Sequence, residues 1–501
     1  MSRILGFLRE VLIAASLGSG PIADAFYAAF GFPNLFRRIF AEGAFNSAFI
    51  PLFAKELEAG KLETARKFAE QVLAILVVSL LLISVISILF MPGLVATVIA
   101  PLFVDTPDKF AVTVDMTRIM FPYLFCMSLV AMFSGILNTL RRFFLAAIVP
   151  VLLNIILIVV VAVALHIGAN PVSTGYWMAW GVFTSGLLQL AFLVIGVKRE
   201  GIYLKLAWPK ITPKIKQLLV LMGPAILTGG VVQINIMIGR IIASAQDGAI
   251  AILNYADRIN QLPLGIIGVA IGIVLLPELS RSLKANNLVS VQRLQNRSLE
   301  FSLALTLPAA IGFITIPEIL VSVLFERGSF DKESTQLTAQ ALVAFSTGLP
   351  AYVLIKVFQP AYFAREDMKT PFWFSVVAVL INIFLSLLLF PLFGHVAIAA
   401  ATSISAWINL FLLMATLWHR NMFRPSPMLL YRLSMIIISS LVMGVAVLTM
   451  QAAIPEWVAH SSFLIRLVAL VSTILVATGI YFGAAFVTGG IDRTLLIRTA
   501  K

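Results

Sequence analysis

Fourteen apolar stretches follow one another along this 501-residue chain, and the connections between them alternate in charge. Each is close to the ~20 residues that an α-helix needs to cross a bilayer. They fall near 2–18, 25–54, 68–100, 113–140, 144–166, 175–197, 215–244, 249–280, 298–325, 337–363, 371–391, 395–418, 429–451 and 462–488. The even-numbered connections and the C-terminal tail carry 24 Lys and Arg residues. The odd-numbered ones carry 3: Lys109, Arg327 and Lys332. Basic connections mark the cytoplasmic side, so the alternation predicts a multi-pass protein with both termini in the cytoplasm. A missed helix would scramble the pattern. The chain is 60% hydrophobic and 12% charged, against roughly 25% charged in soluble domains. A barrel would show short alternating strands, whereas these runs are long and continuously apolar. The fold class is an all-α polytopic membrane protein of about fourteen transmembrane helices.

Several chemistries are excluded at this stage. Cys126 is the single cysteine, so there is no internal disulfide or Cys-based metal site, and the four histidines form no ligand-like cluster. Gly60-Lys61 lacks the upstream glycine and following Ser/Thr of a phosphate-binding loop, and no nucleophile elbow or His-Glu-x-x-His motif occurs. An enzyme is not expected, nor is a metal or other cofactor. Any pumping would draw on membrane potential or an ion gradient. The amino terminus superficially suggests a signal peptide, but Arg9-Glu10 interrupts its apolar run. A retained, short, charge-bearing first helix is expected. The basic connection 198–216 interleaves Tyr203, Leu204, Leu206 and Trp208 with lysines. It is predicted to lie along the inner leaflet, and its charge reflects topology rather than nucleic-acid binding.

The two halves resemble each other. Pro51 closes the second stretch and Pro277 the eighth, 226 residues later, in similar surroundings; 137–142 and 362–367 follow the fourth and tenth. An even number of spans per half gives parallel repeats, which bind substrate between them near the midplane. The expected organisation is an N-lobe of six helices (1–197), a basic interfacial linker (198–216), a C-lobe of six (217–420), and two extra helices with a cytoplasmic tail (421–501).

Nine basic residues remain inside the stretches: Arg3, Arg9, Arg37, Arg38, Arg118, Arg240, Arg258, Lys356 and Arg466. A charge at the bilayer centre costs about 3 kcal/mol or more and faces protein or a watery cavity, not lipid. Arg118, Arg240 and Arg466 lie near span ends and can snorkel. Arg38 and Glu42 stand four apart, the spacing of a helical ion pair. Arg37 points about 100° away from Arg38 with no carboxylate of its own in reach, as a charge offered to an anion; Asn34 is a further polar residue of the same stretch. Asn254, Arg258 and Gln261 share a face, with Asp257 beside Arg258 as either a local counter-ion or a structural partner. Lys356, one turn before Pro360, is either functional or interfacial. The acids do not match the bases: Arg3, Arg9, Arg37 and Arg38 meet only Glu10 and Glu42, with Asp24 at a loop edge. Surplus guanidinium groups suit a phosphate-bearing ligand, which arginine grips with two parallel N–H donors. The alternative is that these charges pair only within the protein and fix helix register.

Asp24-Ala-Phe, Pro-Asn-Leu-Phe-Arg-Arg-Ile-Phe-Ala-Glu-Gly over 33–43, Tyr-Ala-Asp-Arg over 255–258, Leu-Pro-Glu-Leu-Ser over 276–280 and Ala-Arg-Glu-Asp-Met-Lys-Thr-Pro over 364–371 resemble the MurJ (MviN) lipid II flippases of the multidrug/oligosaccharidyl-lipid/polysaccharide exporter superfamily. The resemblance runs over nearly the whole chain. It implies two lobes around a cationic cavity and a hydrophobic groove on the last two helices for a lipid tail. It implies that lipid II, the undecaprenyl-diphosphate-linked peptidoglycan precursor, is flipped from the cytoplasmic to the periplasmic leaflet of the bacterial inner membrane by alternating access. The family's cavity arginines fall on Arg3, Arg9, Arg37 and Arg258, and its functionally sensitive acid on Asp24. Arg38–Glu42 would brace the second helix, and Pro51, Pro224, Pro263 and Pro277 would allow bending. Two departures stand out. The chain begins later than is usual in the family, and Gln261 stands where many members carry a glutamate, so a coupling role for a carboxylate there does not carry over. A monovalent cation for coupling stays open. Expected partners are lipid II, membrane lipids and cell-wall synthesis machinery, not nucleic acid, and a cavity within one chain favours a monomer. Two other transport readings share the fold: a flippase for another polyprenyl-linked glycan, and a cation-coupled multidrug exporter, which would want membrane carboxylates rather than arginines. A membrane scaffold would gain nothing from unbalanced buried charge.

Overall fold

A computed structural model describes residues 2–39, 45–58, 62–453 and 462–491, and these residues are helical apart from short connections. The first helices are α1 (Ser2–Leu17), α2 (Pro21–Phe36), α3 (Phe45–Glu58) and α4 (Leu62–Leu89). After short helical turns come α5 (Pro107–Met120), α6 (Tyr123–Thr139), α7 (Phe143–His166), α8 (Pro171–Arg199) and α9 (Pro213–Ala243). Then follow α10 (Ala249–Lys284), α11 (Leu288–Thr315), α12 (Pro317–Phe325), α13 (Lys332–Ser346), α14 (Leu349–Phe363), α15 (Lys369–Phe393), α16 (His395–His419), α17 (Pro427–Ala453) and α18 (Phe463–Val487).

Among the described residues each expected stretch falls on one helix or on successive helical segments, but fewer than fourteen are long single spans. Among the described residues ten helical segments are long and apolar enough to cross a membrane, or eleven if the two bent halves of α9 count as one. Part of the shortfall has a local cause. α1 and α2 have 16 residues each, about 24 Å at 1.5 Å per residue, short of the ~30 Å hydrocarbon core. α9 bends by 55° between Pro224 and Gly229, where the proline removes a ladder hydrogen bond. The long helices expose mainly apolar side chains, as on α15, where Trp373, Leu380, Phe384, Leu388 and Leu392 are all exposed. Such a surface suits hydrocarbon, and the helices satisfy their own backbone polar groups there.

The contacts divide the chain into two compact units. One takes in Met1–Ala251 and Arg327–Phe330; the other takes in Ile252–Glu326 and Asp331–Lys501. In the first, α2 packs on α5, α7 on α1 and α8, and α9 on α3 and α4. In the second, α16 packs on α13, α14 and α15, and α11 on α14 and α17. Leu299, Phe358, Tyr362, Leu410, Leu413 and Leu417 belong to the second unit's core.

The segment Arg327–Phe330 is held in the first unit by backbone. The Ser329 N–H donates to the Ala15 carbonyl at 2.8 Å. Gly18 and Gly328 have φ of 63° and 61°. A Cβ on Gly18 would strike the Ser329 carbonyl oxygen, and one on Gly328 the Ala15 carbonyl oxygen. Both positions therefore require glycine, through left-handed backbone and close approach. Gly328→Ala is expected to destabilise the protein by about 1–3 kcal/mol, read as a lower thermal midpoint, whereas alanine at exposed Gly93, with no atom in reach, should not lower it.

The connection 201–212 is extended rather than helical. It lies against α4, with the Lys205 N–H donating to Glu70 Oε1 at 3.0 Å and Thr212 Oγ1 to Gln71 Oε1 at 3.1 Å. Tyr203, Leu206, Trp208 and Ile211 are exposed along it.

Candidate functional site

The charges within the apolar stretches separate into tightly held clusters and groups that are half-buried or exposed. In the first unit Arg9 and Glu10, adjacent on α1, are both buried. Arg9 Nη2 lies 2.5 Å from Glu10 Oε1, and Nη1 donates to Asn154 Oδ1 of α7 at 3.0 Å. The other carboxylate oxygen of Glu10 accepts from Tyr27 Oη of α2 at 2.6 Å. Asn154 Nδ2 in turn donates to the Ser2 and Pro150 carbonyls at 3.2 and 3.1 Å. Arg9 is therefore not a spare cation. It is tied to an acid, and the cluster fastens α1 to α2 and α7. A charge pair taken out of water persists only when its remaining polar atoms are also matched; here the two carboxylate oxygens and two of the three guanidinium nitrogens are.

Asp24 lies not at a loop edge but fully buried in the first turn of α2. Lys109, which the loop count assigned to a connection, sits in α5 at 5% exposure. Its Nζ is 2.8 Å from Asp24 Oδ2 and 2.8 Å from Asp247 Oδ1, and lies 4.0 Å from the centre of the Phe103 ring. Asp24 also accepts the N–H groups of Gly248 at 2.7 Å and Ala251 at 2.9 Å. These belong to the start of α10, so the carboxylate caps that helix from another part of the chain, where its first N–H groups have no partner within the helix. A negative charge there is also favoured by the helix dipole.

Around Arg37 the helix changes character. α2 stops at Phe36, just after Pro33, and a wider turn carries 37–39. Arg37 is half-buried and donates from Nε to Asn34 Oδ1 at 2.8 Å. Arg38 and Arg3 are exposed. Glu42, and with it the expected Arg38–Glu42 pair, lies outside the described residues. In the second unit Asp257, Arg258 and Lys356 are half-buried. Exposed Gln261 donates from Nε2 to Asp257, so its amide serves the neighbouring carboxylate.

Charge pairing also anchors the last two helices of the second unit. Arg432 of α17 donates to both oxygens of Glu300 on α11, at 2.8 and 3.0 Å. Arg466 of α18, expected to snorkel, instead bonds Glu326 Oε1 at 2.8 Å and Ser322 Oγ at 2.6 Å. The residues that sequence reasoning missed are Lys109, Asp247, Tyr27 and Asn154. One signal for Lys109 was present: it is one of only three bases in the otherwise non-basic connections. Nothing in the sequence marks Asn154 or Tyr27.

The family model described as lipid II flippase MurJ matches residues 13–469. The chain belongs to the lipid II flippase MurJ family. Over its full length it is 49% identical to a curated protein of Rhizobium tropici named "Probable lipid II flippase MurJ", covering 94% of that protein. It is 33% identical, over 98% of this chain and 95% of the relative, to the "Lipid II flippase MurJ" of Burkholderia cenocepacia. Among solved structures it resembles a lipid II flippase MurJ in an inward closed conformation, with a TM-score of 0.78 and 26% identity, covering 96% of this chain and 97% of that one. An inward-facing multidrug resistance MATE family transporter of the MOP superfamily gives a TM-score of 0.68 at 14% identity over 84% of this chain. That likeness is one of fold alone.

Proposed function

We propose that this family member flips lipid II from the cytoplasmic to the periplasmic leaflet of the bacterial inner membrane, by alternating access of two lobes, 1–197 and 217–420. Full-length similarity to curated lipid II flippases is the observation that carries this reading. The ligand's diphosphate matches the side chains available: Arg3 and Arg37 in the first unit and Arg258 in the second offer planar donors to phosphate oxygens. Arg9 enters that set already holding Glu10 and Asn154, so its part is to fix the geometry of α1. Asn34 orients Arg37. Asp257, Gln261, Arg38, Glu42 and Lys356 act in support, and Asp24 holds the start of α10. An inside-negative potential favours outward passage of an anion by about 2.3 kcal/mol per charge per 100 mV, so membrane potential, alone or with a monovalent cation, suffices as the driving force. No covalent chemistry is required, and one chain provides the pathway.

Arg37 provides the test. Arg37→Ala is expected to abolish growth rescue of a strain depleted of its own lipid II flippase, while accumulating in the membrane at the wild-type level. Arg37→Lys, which keeps the charge but not the fork, should rescue only partly. Full growth with alanine at 37 would remove the central contact of this proposal.

A further inference from the structure

Within the first unit a cavity of about 260 Å³ lies beside α4 and α9, closed behind by Phe36, Phe45 and α6. Its α4 wall is Val72, Ile75, Leu76, Ser79, Leu80 and Ile83, and its α9 wall is Ile215, Leu218, Leu219 and Met222. Both sets follow the i, i+3, i+4, i+7 spacing of one helix face. Only Ser79 and Ser128 are polar among the lining residues, and both hydroxyls are already spent on their own helices, Ser79 on the Ile75 carbonyl at 2.7 Å and Ser128 on the Leu124 carbonyl at 3.0 Å. Water would find almost no partners there. Hydrocarbon would.

Three observations fix the kind of hydrocarbon. The Thr212–Gln71 bond places the two stripes level at one end, since Ile215 and Val72 are the first wall residues beyond it. From Val72 to Ile83 the α4 stripe rises about 16 Å at 1.5 Å per residue, close to half of the ~30 Å hydrocarbon core. The cavity therefore spans one leaflet. At its level end the mouth is basic. Lys210 and Lys216 are exposed and carry no ion pair among the described residues, while Lys214 is paired with Glu56 at 2.7 Å. Exposed Trp208 and Tyr203 flank this end, as aromatic side chains do at headgroup depth.

We infer that this cavity is a binding site for one acyl chain of an anionic glycerophospholipid, whose phosphate is met by Lys210 and Lys216. The bound chain fills the space between α4 and α9 and holds α9 below its bend. This site is separate from the groove that the family resemblance places on the last two helices, and it takes a resident membrane lipid rather than the transported one.

The experiment uses the full chain in vesicles containing trace phosphatidylglycerol or phosphatidylcholine with a photoreactive diazirine on one acyl chain. Cross-linked peptides are mapped by mass spectrometry. Phosphatidylglycerol is expected to label 72–83 and 215–222 at least fivefold more than phosphatidylcholine does. Ser79→Trp, which fills the cavity, should reduce that labelling at least fivefold, and Lys210→Gln with Lys216→Gln should erase the preference for phosphatidylglycerol. Labelling of α15 by either lipid is the internal standard and should not change, which also reports that the variants are inserted. Equal labelling by both lipids, or labelling of these segments no stronger than of α15, would overturn the inference. So would displacement of the phosphatidylglycerol probe by equimolar undecaprenyl phosphate, which would make the cavity a polyprenyl site. These outcomes are independent of growth rescue, so they stand or fall apart from the flippase reading.

Discussion

Asp24→Asn is expected to lower the stability of the protein by about 3–5 kcal/mol, the usual consequence of removing one partner from a buried ion pair. The substitution keeps the side chain's shape, so packing is not the cause. Asp24 holds three donors with two oxygens: Lys109 Nζ and the N–H groups of Gly248 and Ala251. An amide offers one oxygen and adds two N–H groups of its own, so at least one donor loses its acceptor in a fully buried place. Lys109 would keep only Asp247, whose side chain is 69% exposed. The measurement is the thermal midpoint of purified, detergent-solubilised protein. Adding Lys109→Met to Asp24→Asn should restore at least half of the loss, because the stranded charge is then gone. A midpoint for Asp24→Asn equal to wild type would show that this cluster does not hold the start of α10.

Glu10→Gln should have an effect of the same order. Arg9 is buried, and the Glu10 carboxylate is the only acid it meets among the described residues; Asn154 supplies one further oxygen. Without Glu10 a guanidinium charge stays in a low-dielectric interior with neutral partners, and the single amide oxygen of glutamine has to serve both Arg9 and Tyr27 Oη, which each had a carboxylate oxygen. A loss of about 3–5 kcal/mol follows, visible as reduced accumulation in the membrane and a lower thermal midpoint. The double variant Arg9→Met with Glu10→Leu replaces the pair by apolar side chains, an exchange that is often neutral or stabilising. It should recover the midpoint and much of the growth rescue. A double variant that is as stable as wild type yet fails in rescue would move Arg9 from positioning to direct contact with the transported anion.

These two expectations rest on pairings of different legibility. Arg9 and Glu10 are neighbours in the chain, so their meeting could be suspected from the sequence. Asp24 and Lys109 are 85 residues apart, and Asp24 reaches the N–H of Gly248 across 224. No periodicity links such positions. Hydropathy boundaries place Lys109 in a connection, because α5 begins only two residues before it and its first turn is polar. Arg466 lies as close to a hydropathy boundary, which suggests snorkelling, yet Glu326 and Ser322 receive it inside the second unit.

What the amino-acid order determined by itself is the class of fold and the placement of its helices. Hydrocarbon admits only segments whose backbone polar groups are satisfied internally, and that requirement writes itself as long apolar runs with basic connections on one side. The motifs over 33–43 and 255–258 carried the family, since their polar residues stand where hydrophobicity alone would exclude them. The tertiary structure decided which charges are spoken for. Whether a buried guanidinium is bound by a carboxylate depends on side chains brought together from distant helices, and the energy of such a pair depends on burial and distance. Neither quantity exists until the helices have packed.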